Sequence, residues 1–245
     1  MTCDLVALCI AANDPPRVAR FWAGLLERET ADDGLTLLPR DPAPFEIRVL
    51  PTREPKTRQN QLHLDLTSAS TEQQQRTIAT ALELGGRHID IGQDPLDDHD
   101  VLADPEGNEL CVIPPGNAFL EGCGFIGALN GDGTQHVGYF WSRALGWPLV
   151  WDQDEETAIQ SPDGGPKMSW GGPPVTPKTG RNRWHVHVAP AGGDDLQAEV
   201  DRLVSLGATR LDAGTDEDDH GSGQDVERVA MADPGGNEFC VVARR

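Results

Sequence analysis

The sequence predicts an α+β fold of four βαβββ modules arranged in two tandem halves. Three observations carry that prediction. The stretch from Ala103 to Ile113 (Ala-Asp-Pro-Glu-Gly-Asn-Glu-Leu-Cys-Val-Ile) recurs from Ala232 to Val242 (Ala-Asp-Pro-Gly-Gly-Asn-Glu-Phe-Cys-Val-Val). Gln61-Leu-His-Leu-Asp-Leu66 recurs as Arg183-Trp-His-Val-His-Val188, and Phe21-Trp22 as Phe140-Trp141. Repeats in one order mark a tandem duplication. Its boundary falls at the loop Pro114-Pro115-Gly116-Asn117, which divides the chain into domains 1–115 and 116–245. Each half is itself divided, because a strand-then-helix pattern occurs twice in it.

Taken in order, Asp4 to Ala11 alternates as a strand, and Asn13 or Asp14 caps a helix with Pro15 and Pro16 in its first turn. Val18, Phe21, Trp22, Leu25 and Leu26 recur at helical spacing, so Trp22, like Trp141, is expected in a core. Short strands follow at Leu35–Leu38 and Phe45–Leu50, then a polar linker and a strand at Gln61–Leu66. A helix from Thr71 to Leu84 ends at Gly85-Gly86. Strands near Arg87–Asp90 and Val101–Ala103 lead to Glu109–Ile113. The second half repeats this, with helices near Gln135–Leu145 and Asp194–Leu206. An acidic stretch around Asp212 to Val226 reads as an insertion, because the offset between the repeats grows across it.

A formal charge of −20 excludes nucleic acid and anionic membranes as natural partners, since phosphate binding needs clustered Lys and Arg. No apolar run reaches the roughly 18 residues that span a membrane, and no signal peptide is visible. Five cysteines without framework spacing read as free thiols in a cytoplasmic protein. Asp97-Asp98-His99 and Asp218-Asp219-His220 read as solvated loop charge, and Gly171-Gly172 and Gly192-Gly193 lack the context of a phosphate loop.

Alternation assigns faces without further assumption. Leu62, Leu64 and Leu66 share one side of their strand, and His63 and Asp65 take the other. His185 and His187 oppose Trp184, Val186 and Val188 in the same way. The first cleft is then lined by Glu46, Arg48, His63, Asp65, Glu109 and Cys111. The second, counting back from His185 without gaps, is lined by Met168, Trp170, His185, His187, Glu238 and Cys240.

The Asp-Pro-x-Gly-Asn-Glu turn, the x-His-x-Asp/His strand before each second helix, and Phe-Trp on each first helix resemble the vicinal oxygen chelate superfamily. That group holds glyoxalase I, extradiol dioxygenases and bleomycin-resistance proteins. The resemblance implies four βαβββ modules pairing into two glyoxalase-type domains with curved, cleft-forming sheets, and metal sites with four His or Glu ligands, one from each of four strands. Residue by residue, His63 and His185 match the His position, but the final-strand Glu position falls on Cys111 and Cys240. The first-strand position falls near Ala7 and Ile126, and the third-strand position near Arg48 and Trp170. Two donors per cleft are fewer than the three of a catalytic zinc site, so the expectation is no metal and no other cofactor.

The expected function is metal-independent binding of a small molecule, as in drug or metabolite sequestration. The ligand is expected to be cationic or aromatic, to suit the acidic charge and a wall of Trp147, Trp151 and Trp170. The protein is expected as a monomer or homodimer. The alternative is a glyoxalase-like lyase or isomerase, or another enzyme, with His63, His185 or His187 as acid or base and with or without a divalent metal. Cys111 and Cys240 have no evident basic neighbour in the sequence to activate them.

Overall fold

The computed structural model describes residues 2–92, 98–193, 195–211 and 227–243. The first half contains β1 (Cys3–Ala12), α1 (Pro15–Leu26), β2 (Thr36–Leu37), β3 (Glu46–Pro51), β4 (Leu62–Leu66), α2 (Thr71–Glu83), β5 (Arg87–His88), β6 (Asp100–Ala103) and β7 (Glu109–Val112). The second contains β8 (Ile126–Gly131), α3 (Gln135–Leu145), β9 (Leu149–Gln153), β10 (Glu156–Gln160), β11 (Lys167–Trp170), β12 (Trp184–Pro190), α4 (Leu196–Leu206), β13 (Thr209–Arg210), β14 (Arg228–Ala232) and β15 (Glu238–Val242). The second, third and fourth modules thus have the predicted βαβββ order, whereas the first has two strands, β2 and β3, after its helix.

The strands pair across the repeat boundary. One sheet runs β13-β14-β15-β12-β1-β3-β2 and the other β5-β6-β7-β4-β8-β11-β10-β9. The first module therefore joins the fourth, through antiparallel β1 and β12, and the second joins the third, through antiparallel β4 and β8. This corrects the expectation that each cleft is lined from one half alone. Glu46 and Arg48 share a sheet with His185 and His187, not with His63 and Asp65.

Local chemistry explains the helices. Asp14 caps α1 by accepting a hydrogen bond from the Arg17 amide at 3.2 Å, ahead of two prolines that need no donor partner. Ser70 and Asp195 cap α2 and α4 in the same manner. The apolar faces of α1 and α3, with Phe21, Trp22, Phe140 and Trp141 fully or nearly buried, join the inner faces of both sheets in one hydrophobic core.

The repeated turn has a specific structural task. Asp104, completely buried, accepts hydrogen bonds from the amides of Glu106 (2.8 Å) and Asn108 (2.9 Å), the Asn108 side chain (2.7 Å) and Trp22 Nε1 (3.2 Å). Asp233 repeats the arrangement with the amides of Gly235 (2.8 Å) and Asn237 (3.0 Å) and with Trp141 Nε1 (3.1 Å). Gly107 and Gly236 sit at φ 91° and 84°, which a Cβ would strain. Because α1 packs on the first sheet and Asp104 ends a strand of the second, each Trp–Asp pair ties one sheet to the other. Burial pushes both carboxyls above the ordinary carboxylate range, and the donated hydrogen bonds pull against it.

Candidate functional site

On the first sheet, register gathers one set of side chains on the face away from the core. Cys9 lies opposite His185, Ala7 opposite His187, Ala7 and Cys9 beside Glu46 and Arg48, and His187 beside Cys240. The Cys9 thiol and the two imidazoles lie within 4.8 Å of one another. The His185 and His187 Nε2 atoms are 3.2 Å apart. All three side chains are buried. The nearby acids are already engaged. Glu46 pairs with Arg48 at 2.7 Å, and Glu238 takes Lys178 Nζ at 2.7 Å and the Asn182 amide at 3.3 Å. A cavity of about 200 Å³ adjoins the cluster, walled by Arg181, His185, Leu211, Ala230, Glu238, Phe239 and Cys240.

The second sheet has its own cluster. His63 pairs with Asp65 at 3.3 Å, and the Cys111 thiol lies within 4.8 Å of both. Asn130 is opposite His63 and reaches Asp65 at 3.4 Å. Burial opposes charge on His63, but the hydrogen bonds and charges of Asp65 and Cys111 outweigh it and hold its pKa well above the ordinary value. Burial alone would raise the Cys111 thiol, yet hydrogen bonds from His63 and His99 bring it below the ordinary thiol value. The expectation that Cys111 has no basic neighbour is therefore corrected. The fold brings His63 and His99 to it from elsewhere in the sequence. Much of this face is covered. Leu120 and Phe119 of the connector between the halves, with Ile89 and Ile91, pack in one apolar cluster with Cys111, Val101 and Ala128.

Three expectations change. Met168 and Trp170 do not face a cleft: both join the core, where Trp170 lies close to Gly138 of α3. The cleft side of β11 carries Ser169, which pairs with Asn130. Arg48 and Ser169 hold equivalent register positions, and the link from Ser169 to His185 is one residue longer than that from Arg48 to His63. An ungapped count therefore lands on the opposite face. Secondly, Glu109 is engaged by Lys56 Nζ at 2.5 Å and the Asn60 amide at 3.2 Å, so its carboxylate holds the linker, as Glu238 does in the second half. Lastly, the count of two donors per cleft becomes three: Asp65 joins His63 and Cys111, while Cys9 and His187, not Cys240, gather with His185.

Cys9 was missed, although it lies two residues after Ala7 on a regularly paired stretch, so alternation from Ala7 was a usable signal for it, with the register shift confined to the residues between Leu5 and Ala7. A similar shift beside β8 puts Ile126 in the core and Asn130 on the open face. The anchoring pairs Lys56/Asn60 and Lys178/Asn182 were also missed, although their identical spacing in the two repeats was a usable signal. Among the aromatics proposed as a wall, Trp151 meets Phe119 edge-on at 5.7 Å, while Trp147 packs against the core. Asp97 and the Asp218-Asp219-His220 triplet lie outside the described residues.

Two βαβββ pairs with donor clusters on their open faces define a class, and comparison with known proteins gives the same one. The glyoxalase-like domain family matches residues 7–113 and again residues 128–242, so the chain belongs to that family. Glyoxalase I from Zea mays aligns with a TM-score of 0.63 over 99% of this chain and 92% of that one, at 12% identity. A putative dioxygenase from Bacillus subtilis aligns with a TM-score of 0.63 over 97% and 84%, also at 12% identity. At that identity the likeness concerns the fold alone. No curated protein matches in sequence. No helix among the described residues is long and apolar enough to cross a membrane.

Proposed function

We propose that the chain is an enzyme acting on a small polar metabolite in the cleft of the first sheet, with lyase or isomerase chemistry based on proton transfer. The observation behind this reading is the convergence of Cys9, His185 and His187 on one point. Three N and S donors are the number and kind found in catalytic zinc sites. Ligand nitrogens about 2.0–2.1 Å from a tetrahedral ion lie roughly 3.3 Å apart, close to the 3.2 Å between the imidazoles. Two nearby acids, Glu46 and Glu238, are paired with Arg48 and Lys178. The donor set thus fits a divalent ion, held by Cys9, His185 and His187. Such an ion, when bound, polarises a substrate oxygen.

The chain's own part is to bind and orient. The adjoining cavity places Arg181 beside the polar groups of a substrate and Leu211 and Ala230 beside its carbon skeleton. At about 200 Å³ it is below the roughly 300–1,000 Å³ of pockets for drug-sized ligands, which argues for a metabolite over a large sequestered drug. Five free cysteines suit a cytoplasmic setting.

Metal-independent binding is the second reading, and one observation favours it: 3.2 Å is also the length of a hydrogen bond between two imidazoles sharing one proton. Elemental analysis of protein purified without chelator, followed by cobalt(II) titration, separates the two. The enzymatic reading expects about one ion per first-sheet cluster, with a thiolate absorption band lost in Cys9→Ser and His187→Gln. Metal-free protein that takes up no cobalt, yet binds a small metabolite unchanged, overturns it in favour of binding.

A further inference from the structure

The second sheet's cluster differs from the first in kind. Its imidazole has a carboxylate partner, Asp65, and its sulfur sits beside two histidines, His63 and His99. Of the other charged groups among the described residues on this face, Glu109 is paired with Lys56, and Lys167 gives its ammonium to the Phe119 carbonyl and lies over the Phe119 ring at 4.8 Å from the centroid. The Cys111 residue is 5% exposed, while the His63 side chain is 27% exposed, so the way in passes the imidazole. Leu120 and Phe119 share a buried cluster with Cys111, which favours a small reagent such as hydrogen peroxide.

We propose that Cys111 is a peroxide-reactive thiol, with His63 as proton donor to the departing oxygen and Asp65 as the residue that positions His63. A sulfur lone pair of the thiolate attacks one oxygen of hydrogen peroxide. The S–O bond forms as the O–O bond breaks, and the leaving hydroxide takes the His63 proton and departs as water. Sulfur is oxidised by two electrons to a sulfenic acid, and the peroxide is reduced. The arrangement suits this reaction, because the thiolate is the nucleophile and an ordinary thiol is only a few per cent thiolate near neutrality. It also supplies the proton that turns a poor leaving group into a good one.

The test uses the full chain, with and without prior chelator treatment, exposed to hydrogen peroxide for timed intervals and then unfolded in denaturant containing a dimedone probe, which traps the sulfenic acid already formed. Peptide mass spectrometry locates the adduct. Cys111 is expected to react at least about tenfold faster than the more exposed Cys123 near neutral pH, with little change on raising the pH. In His63→Gln the advantage disappears and the rate climbs with pH; Asp65→Asn gives an intermediate rate should the first variant fold poorly. Labelling of Cys123 first, an unchanged His63→Gln rate, or reaction of Cys111 only after chelation (which would make it a metal ligand) each overturns the proposal.

Discussion

Removing the Trp22 indole donor tests the claim that the repeated turn fastens the two sheets together. Trp22→Phe keeps an aromatic ring in the core but takes away the Nε1 bond to Asp104. A hydrogen bond to a buried charged acceptor contributes about 1.5–3 kcal/mol. Shrinking the ring in a fully buried site adds about 1 kcal/mol. The expected loss is thus about 2–4 kcal/mol. Asp104→Asn turns an accepting oxygen into a donor facing other donors, and a similar loss of about 2–4 kcal/mol is expected. Urea unfolding followed by far-ultraviolet circular dichroism measures both, and the double variant gives their coupling. The coupling should be about 1–2 kcal/mol, because the two changes remove one shared bond. Losses below about 0.5 kcal/mol in both single variants, or strict additivity in the double, would refute the tie.

Other consequences can be checked with the same preparation. Gly138→Ala places a Cβ 2.1 Å from Thr157 Oγ1, so overpacking of about 1–3 kcal/mol should exceed the helix-propensity gain of about 1 kcal/mol. A net rise in the urea midpoint would contradict this. Burial, together with a thiol donated to Glu199 at 2.7 Å, pushes Cys3 far above the ordinary thiol range. Cys3 should therefore resist iodoacetamide at about pH 8.5 until the protein is unfolded. The raised pKa of His63 contributes stability that is full below the unfolded value of about 6.5 and is lost as pH rises through the folded value. His63→Gln should accordingly cost more stability near pH 6 than near pH 9, and a cost that grows with pH would show the sign to be wrong.

Alternation was enough to place His63, Asp65, His185, His187 and Cys111 on open faces, because a strand's period of two separates its sides whatever its neighbours are. It could not say which strands are neighbours. Pairing of β1 with β12 joins residues far apart in sequence, and the leucine pattern of β4 suits any partner with an apolar inner face. Single-residue irregularities did the remaining damage. A shifted register beside Ile126 put Asn130 on the open face, and one extra residue before β12 exchanged Ser169 for Trp170. Glu109 and Glu238 were correctly sided, but their partners Lys56 and Lys178 come from linkers whose path no periodicity describes.

The pairing of strands between repeats bears on what a severed molecule would do. Cut within the connector, the first half would keep β1 and β4 as raw borders, each with a row of amides and carbonyls seeking a neighbour. Since β12 is the counterpart of β4, and β8 of β1, a duplicate of that half carries the complementary border for both. Two identical fragments could therefore close on each other in a twofold-symmetric pair and rebuild both sheets, with the peptide link reduced to a tether.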